Sequence, residues 1–410
     1  MPSGPLVVSH SMPAAQSVAL GVFIDVGSRD EDASQAGMSH ALEHMLFKGT
    51  KQMDVHALAE KLDELGGNAN AFTSRERTCF HLHVLYEHWQ EALALLTSML
   101  LEPALPQEEW QREREVIYAE MAMVEDTPEE WVMDQHVEAL FPGHALGRPV
   151  LGTHQALESM TVDMLRAYLQ RHYSDARLLI AVAGRIDHTE LVDALAALVW
   201  PSTIEEQHRQ PPAMLARGIQ ALERDGEQAQ MVLSFPGITV ASPERPVAWL
   251  ANQMLGGGMS SRLFREVREK RGLAYSIGSH LSTLSDTGSW SMTCGSEPER
   301  AGDCISVLQD VLIGFAGSLA AKEVERAKRQ MEVQFRMGLD SVEGQMLYLG
   351  SRQDETILLS PLQWVERIRD VDVETIRSWS AERLGPDGLW SIAAPACVLT
   401  QICDRIGSSC

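Results

Sequence analysis

The chain has 410 residues, of which 45% are hydrophobic and 22% charged. That balance excludes disordered and fibrous classes, and the length points to two domains of roughly 200 residues each. A formal net charge of −23 argues against nucleic acid or an anionic membrane surface as the main partner.

The opening MPSGPLVVSHSM lacks a basic stretch followed by a long apolar run, so no signal peptide is expected. Residues 18–26 (VALGVFIDV) alternate as a half-buried strand does. Gly37-Met38-Ser39 leads into a helical stretch over 40–47, closed by Gly49-Thr50, and a second helix over 55–65 ends at Gly66-Gly67. Residues 70–85 read as a strand-like run. A long helix then runs to about Leu101 and breaks before Pro103. Helical spacing returns over 107–123, and Thr127-Pro128 can cap a further helix. The run 178–183 (LLIAVA) is β-like and closed by Gly184.

The polar, proline-bounded PSTIEEQHRQPP at 201–212 reads as a linker. The second half repeats the plan, with β-like runs at 230–235 (QMVLSF) and 389–393 (LWSIA). The closing TQICDRIGSSC reads as a loose tail. The expected fold is α+β: two similar domains, each a mostly antiparallel sheet with helices packed on one face. The expected division is 1–200, a linker at 201–216, and 217–410. No segment supplies the ~18 apolar residues of a membrane span. Six cysteines (Cys79, Cys294, Cys304, Cys397, Cys403, Cys410) show no CxxC spacing, which suits free thiols in a reducing, cytoplasmic setting better than the periplasm.

Residues 40–44 read His-Ala-Leu-Glu-His. On a helix, His40 and His44 stand one turn apart on one face, so two neutral imidazoles can reach one zinc ion at ~2.0–2.1 Å. Glu43, at the edge of that face, can take a proton from water held there. This is the inverted form of a zinc-protease helix. The plain alternative is a surface helix carrying two histidines and a solvated glutamate. Catalytic zinc usually takes a third protein ligand. The helix QEEWQREREVIYAEM offers Glu113 and Glu120, seven apart and on one face; spacing alone does not choose between them. His81 and His83 share a strand face but have no carboxylate at suitable spacing. LGGGMSS at 255–261 lacks the following Lys-Ser/Thr of a phosphate loop.

With these residues in view, the chain resembles the pitrilysin, insulinase and mitochondrial processing peptidase family of zinc endopeptidases, in particular its small bacterial two-domain members. The resemblance is carried by GMSHALEHMLFKGT at 37–50, GGNANAFTSRERTCF at 66–80, the glutamate helix over 113–120, and GGGMSSRLFREVREKRGLAYSIG at 256–278. It implies two similar domains facing across a chamber and one zinc per chain held by His40, His44 and Glu120. It makes Glu113 a support for the ligands and Glu43 the base. It assigns Arg268 and Tyr275 to the substrate backbone and the carbonyl under attack. It implies that peptide adds as a strand along Asn70, Ala71, Phe72 and Thr73. It also sets Glu130 and Asp134 to grip an arginine near the cut, and the first half, with 30 acidic against 13 basic residues, is suited to a cationic ligand. Pairing into a homodimer is implied by the same resemblance, with a heterodimer of related chains as the other arrangement. The rival function is a non-catalytic or partner-dependent subunit.

Overall fold

The computed structural model describes the chain except residues 1–3, 203–208, 213–214, 352–358, 386–387 and 407–410, and the side chains of 403–406. It divides into two compact units.

The first unit holds a five-stranded sheet of β1 (Leu6–Ser11), β2 (Ser17–Ile24), β3 (Asn68–Thr73), β4 (Thr78–Leu85) and β5 (Leu178–Gly184). Their order is β1-β5-β2-β4-β3, with only β1 and β5 parallel. The second unit repeats this order with β6 (Gly218–Glu223), β7 (Ala229–Pro236), β8 (Ser276–Thr283), β9 (Gly288–Ser296) and β10 (Leu389–Ala394). These are arranged β6-β10-β7-β9-β8, and β6 and β10 are parallel. The duplicated α+β plan is therefore present down to strand order.

A layer of helices covers one face of each sheet. In the first unit Val18, Leu20, Val22 and Ile24 of β2 point into that core with Met38, Leu42 and Met45. The opposite face carries one further helix, drawn from the other half of the chain. Helix Val342–Gly350 lays Val342 and Met346 on Ala19, Phe23, Leu179 and Ala181. Helix Pro128–Leu140 does the same in the second unit, with Val132 against Val232 and Ala393. β2 is thus buried on both faces, which explains its nearly unbroken apolar sequence.

The compact units differ from the expected contiguous division. Residues 124–147 belong with the second sheet and 337–353 with the first, and the boundary near the linker falls between Gln210 and Pro211. A helix's own pattern fixes its apolar stripe but not the sheet that stripe covers. The run 70–85, expected as one strand, is a hairpin whose turn spans Ser74 to Arg77, where Ser74 N donates to Arg77 O at 2.7 Å. The closing segment is helical over Ala396–Ile406, with Leu399 and Ile402 in the second core, so the tail expected there begins no earlier than 407, outside the described residues. Sequence spacing also hid a thiol pair: Cys294 Sγ and Cys304 Sγ lie 3.1 Å apart, both buried. No single helix among the described residues is long and apolar enough to cross a membrane.

Candidate metal centre

Helix Met38–Leu46 turns Met38, Ser39, Ala41, Leu42, Met45 and Leu46 inward. The i, i+3, i+4 set His40, Glu43 and His44 is left on the outer face. The helix start is tightly fixed. Gly37 has φ 92°, and a Cβ there would meet the Leu151 carbonyl at 2.7 Å. The Glu31 carboxylate accepts from Gly37 N at 2.8 Å and Ser39 N at 2.7 Å. Burial pushes that carboxyl up to about 8, against the pull of these amide bonds. The Ser39 hydroxyl pairs with Tyr168 at 2.8 Å.

Helix Gln107–Asp126 buries Trp110, Glu113, Ile117 and Met121, a stripe three to four residues apart. Trp110 Nε1 donates to Met160 O at 3.0 Å and anchors the helix start. Glu113 lies on the buried stripe, and Glu120, two turns on, is 38% exposed in its side chain.

These two helices bring five predicted residues together. Glu120 Oε2 lies 3.7 Å from His40 Nε2 and 3.6 Å from His44 Nε2, and the ligand atoms of the three all fall within 4.8 Å of one another. Those separations are too long for hydrogen bonds. They are close to the edge of about 3.3 Å of a tetrahedron around an ion at ~2.0–2.1 Å. The donor set, two imidazole nitrogens and a carboxylate oxygen, suits zinc. Glu113 Oε2 takes His44 Nδ1 at 3.0 Å, which frees His44 Nε2 for the Glu120 side, and Glu113 Oε1 receives Lys48 Nζ at 2.7 Å.

The charges are set by these contacts. Burial, then the neighbouring His44, lowers His40 to about 4, so its ring is neutral. Burial pulls His44 down, but the Glu113 bond and the Glu120 and Glu43 charges outweigh it and leave the ring more basic than usual. Burial raises Glu43, partly offset by a 2.5 Å hydrogen bond from Thr73 Oγ1 to Glu43 Oε2. Glu113 is held below the usual range because its bonds to His44 and Lys48 outweigh its burial.

The remaining predicted residues fall elsewhere. Asn70, Ala71 and Phe72 lie on β3, the free edge of the first sheet; Ala71 packs inward, and Asn70 and Phe72 are exposed. Arg268 and Tyr275 are together in the second unit, the guanidinium 5.1 Å from the tyrosine ring, which is 76% exposed. Glu130 and Asp134, also in that unit, line a cavity of about 570 Å³ with Glu129, Gln230 and His280. His81 is buried 3.4 Å from Glu343, and His83 pairs with Ser17, so neither joins the centre. Sequence reasoning missed Lys48 and Glu31, and it placed Thr73 only on the peptide-binding edge, not against Glu43. Lys48 was findable as the residue one turn past His44; Glu31 is near in sequence but reaches the helix through an irregular loop that spacing does not describe, and the Thr73 contact is long-range.

Two family models match the chain: Insulinase (Peptidase family M16) over residues 6–154, and Peptidase M16 inactive domain over 159–331. A Streptomyces coelicolor protein named uncharacterized zinc protease is 33% identical, covering 96% of this chain and 88% of its own length. Bacillus subtilis YmxG, named likewise, is 35% identical, covering 86% of each. The crystal structure of a peptidase M16 inactive domain from Pseudomonas fluorescens superposes with a TM-score of 0.89 at 22% identity over 96% of each chain. That of a protease from Helicobacter pylori gives 0.88 at 19% identity, over 96% of this chain and 98% of that one. The neighbours share the fold and the relatives share the sequence, and this chain belongs to the insulinase family of peptidases, peptidase family M16.

Proposed function

We propose that the chain is a zinc-dependent endopeptidase acting on peptides or unfolded segments. The observation that carries this is the convergence of His40 Nε2 and His44 Nε2 on one oxygen of Glu120, with Glu113 holding the far nitrogen of His44. His40, His44 and Glu120 would hold one ion per chain. When bound, the ion supplies a positive charge that makes water more acidic and polarises a carbonyl. Glu43 takes a proton from the attacking water as its oxygen bonds to the carbonyl carbon. As the C–N bond breaks, Glu43 returns that proton to the leaving amine. Glu113 orients His44. Arg268 and Tyr275 are assigned as donors to the substrate backbone and to the oxygen that gains charge.

Asn70, Ala71 and Phe72 would take the peptide as an added strand, since β3 has an open edge. Glu130 and Asp134 would favour an Arg or Lys near the cut, and their carboxylates at one cavity support that preference. The chain carries both the zinc helix and the Arg268/Tyr275 pair, so a homodimer of active chains is proposed over a heterodimer or a non-catalytic subunit.

Metal analysis of the purified chain, with cleavage of a random peptide library, tests this reading. Zinc near one per chain is expected, with cuts enriched beside Arg or Lys. Glu43→Gln should keep the zinc and slow hydrolysis about 10²–10⁴-fold. Wild-type rates in that variant would remove Glu43 from its role, and cuts indifferent to basic residues would remove Glu130 and Asp134 from theirs.

A further inference from the structure

Glu43 has a hydrogen-bond partner on the strand beside its helix. On β3, Ala69, Ala71 and Thr73 share the inward face, and Asn68, Asn70 and Phe72 face out. Thr73 is the last of the inward set and packs where helix Met38–Leu46 meets β3. Its hydroxyl donates to Glu43 Oε2 at 2.5 Å, and Glu43 Oε1 accepts no hydrogen bond from the described residues.

One loop fixes both ends of that bond. Ser28 N donates to Ser74 O at 3.1 Å and Arg29 N to Arg75 O at 2.8 Å, which docks the hairpin turn just after Thr73. Arg29 is also paired with Glu76 at 2.5 Å. Two residues on, the Glu31 carboxylate grips the amides of Gly37 and Ser39 at the start of the helix that carries Glu43. The threonine hydroxyl and the carboxylate are thus referred to the same backbone segment, 28–31. A glutamate's terminal torsion is otherwise broad, so a free carboxylate samples many orientations.

We propose that Thr73 is a positioning residue for Glu43: its hydroxyl pins Oε2 and leaves Oε1 as the oxygen that exchanges the proton. This rests on the endopeptidase reading above. Thr73 closes the same edge strand along which a peptide would add, so seating the substrate and orienting the base share one residue.

The test uses the full zinc-loaded chain as wild type, Thr73→Val and Thr73→Ser, on one peptide substrate. Valine keeps the shape and removes the donor; serine restores it. Thr73→Val should lower kcat about tenfold or more with KM within about twofold, and Thr73→Ser should stay within about threefold of wild type. A second readout needs no turnover. Crystals of the metal-free chain should hold the Glu43 carboxylate in one orientation in wild type and in several in Thr73→Val. Wild-type kcat in Thr73→Val, a Thr73→Ser as slow as the valine form, or a single carboxylate orientation in Thr73→Val each overturns the assignment. A wild-type chain that binds zinc but cleaves nothing defeats the endopeptidase reading instead, and the crystals still decide for or against Thr73.

Discussion

The two units share strand order and hairpin positions yet differ in the helix that comes after the second strand of each. After β2 the chain forms helix Met38–Leu46, which shows His40, Glu43 and His44 beside β3. After β7 it forms helix Arg245–Gly256, RPVAWLANQMLG, which packs on β8 and contains no histidine or carboxylate. In its place a structural network appears: Trp290 Nε1 donates to Asn252 Oδ1 at 3.0 Å, and the Ser279 hydroxyl to Asn252 O at 3.2 Å. One scaffold has therefore been filled twice, once with a candidate metal-binding set and once with packing. The fold alone does not specify the chemistry.

The largest effects should come from removing the groups that the second unit lacks. Glu120→Gln should abolish measurable zinc binding, because two imidazoles rarely suffice for a catalytic site. Glu113→Gln should weaken zinc about 10–100-fold, the usual cost of losing the group that orients a ligand histidine. Isothermal titration with zinc would rank them. Asn252→Ala, the matched change in the other unit, should leave affinity at the wild-type value. If it weakens zinc as much as Glu113→Gln does, the division of labour between the two units is wrong.

The sequence carried the local half of this site and little of the rest. His40, Glu43 and His44 were legible because one helical turn places them, and helix spacing is a local property. Glu113 and Glu120 were legible from spacing as a pair; which one meets the histidines depends on how two helices pack, and only the family resemblance gave that place to Glu120. The contact of Thr73 with Glu43 was hidden because 70–85 looked like one strand, so the hairpin turn just after Thr73 was not anticipated. β1 and β6 escaped notice because each is a sheet edge with part of its surface exposed, which weakens the apolar signal. The exchanged helices Pro128–Leu140 and Val342–Gly350 were beyond reach for a different reason: nothing in an amphipathic stripe names the sheet it will cover.

Those two helices sharpen the comparison further, because they close equivalent faces by different means. Val342–Gly350 relies on close apposition. A Cβ at Gly350 would come within 2.0 Å of the Phe23 ring. Gly350→Ala should therefore lower the stability of the first unit by about 3 kcal/mol, the upper part of the range for overpacked cores. A fall in the urea midpoint at unchanged slope would report it. A wild-type midpoint would mean that the helix can retreat from Phe23 at no cost.

Pro128–Leu140 instead buries a histidine. His136 is 1% exposed, with Nε2 at 2.6 Å from the Ser234 hydroxyl and Nδ1 at 2.8 Å from that of Ser391. Burial, then His280, lowers its pKa from 6.5 to about 4. The folded unit therefore resists protonation that the unfolded chain accepts. Above pH 6.5 neither state carries the proton, and the neutral ring's bonds count in full. Between 6.5 and 4 the unfolded state gains it first, so stability falls as pH falls, by about 1.4 kcal/mol per unit and no more than about 3 kcal/mol in all. Below 4 both states are protonated and this loss stops growing. His136→Gln keeps hydrogen-bonding groups and removes the titration. It should be less stable than wild type at pH 7.5, yet lose less stability on going to pH 5. Parallel stability curves for the two proteins over that interval would show that the proton is taken up elsewhere, and that the second unit closes its face as the first does, by shape alone.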